Sequence, residues 1–161
     1  MAKVYHPKST TTKLMEGAIG GLVFGAVMGL IVLLSDLLTP DRSWWSTISI
    51  VGQLVTGQQE TNTSAPDMAS LIIGLLINLV LVVLIGIGFG YYMPLFRRFN
   101  VHPIIGGVIY GLVIWIVLDL LFLAPATGNR VNLIWLLVAD LLGGAALGWW
   151  FSRPSKPAPQ S

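Results

Sequence analysis

No cysteine occurs in the 161 residues, so neither a disulfide nor a thiolate metal site is available to this chain. Charge is nearly as scarce, with 9 Lys and Arg, 7 Asp and Glu, and 2 His. Together with 55% hydrophobic residues and a mean hydropathy of +0.80, this excludes an ordinary soluble domain and points to an integral membrane protein. Also missing are a Ser-His-Asp set, a phosphate-binding loop and paired surface carboxylates, so no enzymatic activity is expected. No metal site and no cofactor are expected either. His6 and His102 are the only residues that could contact a haem or a chlorophyll, and His102, directly before Pro103, reads better as an interfacial residue at a helix start.

What the chain has is apolar length. Residues 18–38, 69–92, 104–124 and 131–151 form four runs, each close to the roughly 20 residues that cross a hydrocarbon core of about 30 Å as a helix. The expected fold is all-α: one membrane domain, a polytopic bundle of four transmembrane helices. It has a start at 1–17, a first loop at 39–68 and a disordered proline-rich tail at 152–161. The first run is longer than a signal-peptide core and lacks a small-x-small cleavage site after it, so it reads as a retained span.

Orientation follows from the basic residues, which resist translocation. Lys3, Lys8, Lys13, Arg97, Arg98, Arg153 and Lys156 fall on one side of the four spans and only Arg42 and Arg130 on the other. Both termini are therefore expected in the cytoplasm of a bacterial-type inner membrane. Tyr91, Tyr92, Trp149 and Trp150 mark the cytoplasmic interface, and Trp44 and Trp45 the outer one.

Within the first loop, "SWWSTISIVGQLVTGQ" sets Trp44, Ile48, Val51 and Val55 at helical spacing among Ser, Thr and Gln. An amphipathic segment over 43–57, lying on the outer surface, is the expectation. With Trp45 it forms either a cap on the bundle or a docking surface for a partner.

Glycine patterns the spans. Gly17, Gly21, Gly25 and Gly29 recur every four residues in the first; Gly86 and Gly90, Gly107 and Gly111, and Gly144 and Gly148 mark the other three. Lipid offers helices little hydrophobic reason to associate, so faces of small residues that let backbones approach are expected to drive packing. These glycines favour the cytoplasmic half, which predicts a bundle tight there and looser outside.

Polar residues fall in the looser half. Asn78 and Asp140 each lie nine residues into a span, roughly 13 Å deep at 1.5 Å per residue, and Asp119 is shallower. All three connect in steps of four to the glycine faces and are expected to point inward. An intramembrane carboxyl costs about 2.5–3.5 kcal/mol at mid-span even on insertion scales. Either it is held structurally, Asp140 by Asn78 and Asp119 by Arg130 reaching down, or it serves the movement of protons or ions.

The stretches "GLLINLVLVVLIGIGFGYYMP", "GVIYGLVIWIVLDLLFLAP" and "WLLVADLLGGAALGWWF" resemble the YagU-like group of small four-span bacterial inner-membrane proteins. That resemblance implies histidines in the second and fourth spans, where this chain has Asn78 and Asp140, and it implies no particular activity. Two functions are in keeping with the sequence. One is a non-catalytic accessory subunit of a larger membrane complex, respiratory or photosynthetic, packed through its glycine faces. The other is a small oligomeric transporter or proton-conducting protein that uses Asn78, Asp119 and Asp140. Expected partners are the bilayer and other integral membrane subunits or a second copy, with no nucleic acid.

Overall fold

The computed structural model describes residues 10–40, 43–57, 67–127 and 131–153. Among these there is helix and no strand. The helices are α1 (Thr10–Leu38), α2 (Ser46–Thr56), α3 (Met68–Arg98), α4 (Pro103–Ala126) and α5 (Leu133–Ser152). All except α2 are long and apolar enough to cross a membrane. They are apolar around most of their circumference, as expected of helices with no aqueous side, and leucines such as Leu30, Leu75 and Leu84 stand exposed on the outside.

The helices run past the apolar runs. α1 begins eight residues before residue 18 and α3 continues six residues beyond 92, through Pro94. Hydropathy marks where a segment is apolar, whereas backbone hydrogen bonding continues into polar flanks until a residue stops it. Three helix starts are capped. Asp67 accepts from the amides of Ala69 and Ser70, His102 Nδ1 from the Ile104 amide, and Asn132 from the Trp135 amide. The Ser70 hydroxyl also donates to Asp67 at 2.5 Å, and the Ser70 side chain and amide together hold the Asp67 carboxyl below the usual carboxylate range.

α1 packs on α3 and α5, and α5 packs on α4. α3 and α4 follow one another through a short turn, in which Asn100 takes a left-handed φ of 53°, yet their backbones touch only lightly, with the Tyr110 hydroxyl of α4 donating across to the Ile85 carbonyl of α3 at 3.2 Å. The order around the bundle is thus α3, α1, α5, α4, with one loose seam between α4 and α3. Because consecutive spans alternate in direction, Lys13, Arg97, Arg98 and Arg153 collect at one end, called here the basic end. There the Arg153 guanidinium lies 3.7 Å from the Trp149 ring centroid.

The basic half is closed by side chains. Phe24, Val82, Ile85, Phe89, Met93 and Leu147 form its buried core. Phe96, Tyr110 and Phe151 surround Phe89 with ring centroids 5.3–5.8 Å away. At the other end a smaller core joins Ile50 of α2 to Val131 and Leu136.

That contact revises the expected face of α2. Ser49, Ile50 and Gly52 are its buried residues. In the anticipated stripe, Ile48 and Val51 are half-buried, whereas Val55 and Trp44 are exposed and Trp45 is intermediate. The cause is backbone proximity. A Cβ on Gly52 would run into the Ser70 carbonyl and one on Gly74 into the Ile48 carbonyl, so α2 and α3 meet along small residues, antiparallel to each other. α2 is further pinned by Asp36, fully buried near the end of α1. The Asp36 carboxylate accepts from the Thr47 amide at 3.0 Å and the Thr47 hydroxyl at 2.9 Å.

Candidate functional site

The site is assembled from α4 and α5. From Trp115 to Leu123, α4 winds as a π-helix, with bonds reaching five residues rather than four; Asp119 sits at its centre, and its carbonyl accepts from the Ala124 amide. Extra residues per turn shorten the climb of the helix and shift the phase of its side chains, and such segments are frequent at functional sites. The Trp115 indole donates to the Leu133 carbonyl at 3.0 Å, tying the start of this segment to the first turn of α5.

Deeper in the same helix pair the backbones are in contact. A Cβ on Gly107 or Gly144 would fall on the carbonyl of the other, and one on Gly111 would fall on the carbonyl of Asp140. Helical side chains lean towards the N-terminus of their own helix. Since α4 and α5 run in opposite directions, Asp119 leans towards the basic end and Asp140 away from it, and the two carboxyls approach one another.

Both are buried, Asp140 at 0% and Asp119 at 6% exposure. Both oxygens of Asp140 and Oδ2 of Asp119 have no hydrogen-bond partner among the described residues. The bond from Asn78 to Asp140, one of the two alternatives drawn from the sequence, is not formed; the neighbour of Asp140 is Asp119. Two like charges near one another in an apolar interior repel strongly, and a buried carboxylate with no donor is costly in itself. A proton or a cation held by the pair relieves that repulsion.

Space for one lies beside it. Two hollows of about 340 and 270 Å³ share Met28, Val51, Asn78, Val82, Asp119 and Leu123 in their walls. The first runs up under α2, past Thr47 and Ile48, between α1 and α3. The second follows the loose α3–α4 seam past Leu81, Ile85, Ile114, Leu118 and Phe122, and includes Asp140. Half-buried Asn78 thus faces the carboxyls' cavity without bonding Asp140.

Other expected site residues fall out as follows. Gly17, Gly21 and Gly86 meet at the α1–α3 crossing, and Gly148 lies against the backbone of Pro103 and Ile104. Gly25 faces the Val82 methyls and Gly90 the Phe151 ring. Gly29, despite its place in the same four-residue series, has nothing within 4 Å of an added Cβ. A step of four gains about 40° per repeat on a helix with 3.6 residues per turn, so by Gly29 the series has rotated off the face it began on. Arg130 and His6 lie outside the described residues. Asp36, Ile50, Gly52 and Gly74 were not anticipated; the small residues Ser49, Gly52, Ser70 and Gly74 were the available signal for the α2–α3 contact.

The chain matches no family model, no curated protein and no solved structure.

Proposed function

We propose that this is a small multi-pass protein of a bacterial-type inner membrane, without enzymatic chemistry, whose working part is the Asp119–Asp140 pair. The pair takes up and releases a proton or a cation in the outer half of the bundle, as a small transporter or proton-coupled membrane protein does. One observation carries this reading: three buried carboxyl oxygens without a partner among the described residues, beside a cavity. In a membrane interior such groups are by default functional. The closed aromatic layer around Phe89 argues for a site that opens on one side at a time rather than for a standing pore.

Infrared difference spectra of the purified protein between acid and alkaline pH test this. A band from a protonated carboxyl is expected to appear with acidification and to be altered in both Asp119→Asn and Asp140→Asn. Spectra in which neither substitution changes any carboxyl band would overturn the proposal.

A second reading, the accessory subunit of a larger complex, is favoured by the loose seam between α3 and α4, which a neighbouring subunit's helix could complete. Under either reading, the glycine faces draw the four helices together, α2 rests at the outer interface, and any kinship with the YagU-like group concerns lineage rather than activity. Purification in mild detergent separates the two, since the accessory subunit comes with stoichiometric partners and the transporter alone or as a homo-oligomer.

The gathering of Lys13, Arg97, Arg98 and Arg153 at one end supports a topology with both termini in the cytoplasm. Cysteine introduced at Ser64 is then labelled by an impermeant reagent added outside the cell. Cysteine at Ser155 is labelled only after the membrane is opened. The reverse pattern would invert the topology.

A further inference from the structure

We propose that the cavity beside Asp119 and Asp140 binds a compact apolar molecule bearing one primary ammonium group, which enters sideways from the bilayer through the α3–α4 seam. This rests on the carboxyl pair being the working site and adds what it recognises.

The walls select the body of the ligand. Apart from the two carboxyls, the side chains lining the hollows that carry N or O are Asn78, Thr47 and Trp44; the Thr47 hydroxyl is already given to Asp36, and the Trp44 indole is a donor only. Everything else is aliphatic or aromatic, so the bulk of the occupant must be apolar. The hollows, about 340 and 270 Å³ with shared walls, lie close to the lower bound of the range, about 300–1,000 Å³, in which small-molecule sites fall.

The carboxyls select its head. An ammonium has three N–H donors and no acceptor, and three carboxyl oxygens are unpartnered: Asp119 Oδ2, Asp140 Oδ1 and Asp140 Oδ2. A bare metal cation fits worse. Calcium needs about six to eight oxygen ligands, and no group of three or more acidic, His or Cys side chains able to hold a metal occurs among the described residues. A lysine from a neighbouring helix would supply the ammonium, but its thin stem would leave most of the space empty.

The route is set by the seam. Leu81 and Phe122, on opposite sides of the second hollow, are 38% and 65% exposed, so this hollow reaches the apolar outer surface of the bundle. A molecule dissolved in lipid can pass between α3 and α4 without crossing the closed basic half. Around the pair, α1 presents Met28, α2 Val51 and α3 Asn78, none of which titrates, so Asp119 and Asp140 are the titratable side chains in the walls of this hollow among the described residues. If the empty pair holds one proton, arrival of R–NH3⁺ and departure of H⁺ leave its net charge unchanged, and no bond other than O–H is broken.

The test uses the full chain in lipid nanodiscs with 1-aminoadamantane as the probe, measured by calorimetry against its neutral isostere 1-adamantanol and its N,N,N-trimethyl derivative. The amine is expected to bind saturably, with release of up to one proton. The alcohol and the trimethyl compound should bind at least about tenfold more weakly, since one lacks the charge and the other the N–H donors. Asp119→Asn and Asp140→Asn, which keep side-chain size, should each weaken the amine by at least about tenfold. Equal affinity for amine and alcohol, indifference to both substitutions, or no saturable amine binding would overturn the proposal. With no amine binding, a carboxyl band that still titrates in the infrared would leave the proton-binding reading standing and remove only this one.

Discussion

Gly107→Leu is expected to pull α4 away from α5 and to cost the protein about 3 kcal/mol or more, the upper end of what overpacking a well-fitted contact does. A Cβ there would meet the Gly144 carbonyl and come within 2.9 Å of the Gly148 amide nitrogen. Those are backbone atoms inside a helix, and unlike a side-chain tip they cannot swing aside. The disturbance would also reach the carboxyl pair, because the same approach brings Gly111 against the Asp140 backbone. Gly29→Leu is the control. It belongs to an equally regular glycine series, but its Cβ would stand in open space, and its effect should stay within about 0.5 kcal/mol. Thermal unfolding in a mild detergent measures both. Equal melting temperatures would mean that the close approach of α4 and α5 contributes nothing to stability.

Asp140→Leu should raise stability. A natural side chain that is fully buried, polar and without a hydrogen-bond partner among the described residues is a standing cost. Replacing buried charged groups by apolar ones of similar bulk is often neutral or stabilising by about 1–4 kcal/mol. The larger leucine has somewhere to go, since Asp140 borders the hollow along the seam. Removal of one carboxyl also ends the repulsion that Asp119 feels. A melting temperature several degrees above that of the parent protein, accompanied by loss of the titrating carboxyl band, is the expected result. Trading stability for a polar site is what a functional position does. A fall in melting temperature would instead identify Asp140 as part of the structural framework, which is the outcome a bond to Asn78 would have produced.

Much of the architecture is local and could be read along the chain. A span needs about 20 apolar residues and no partner to be recognisable, and the basic residues that gather at one end are counted without knowing any contact. Helix ends were less legible. The Lys13 turn of α1 and the Arg97–Arg98 turn of α3 are polar and still helical, because propensity and hydrogen bonding carry on where hydropathy stops.

Contacts between helices belong to the tertiary structure. Asn78 and Asp140 lie at equal depth, yet depth along a helix says nothing of azimuth, and Asp140 turned to Asp119 instead. A period of 3.6 residues underlies every face drawn from sequence, and the π-helical stretch from Trp115 to Leu123 breaks that period just where Asp119 sits. The position of α2 likewise depended on Gly52 and Ser70 allowing two backbones to touch, and on Asp36 reaching across 11 residues to Thr47. Hydrophobic length and charge are properties of a segment, and the sequence by itself determined them. Which small residues face a neighbour, and which carboxyl meets which, depends on the rotation and crossing of whole helices, and only the packed bundle decided that.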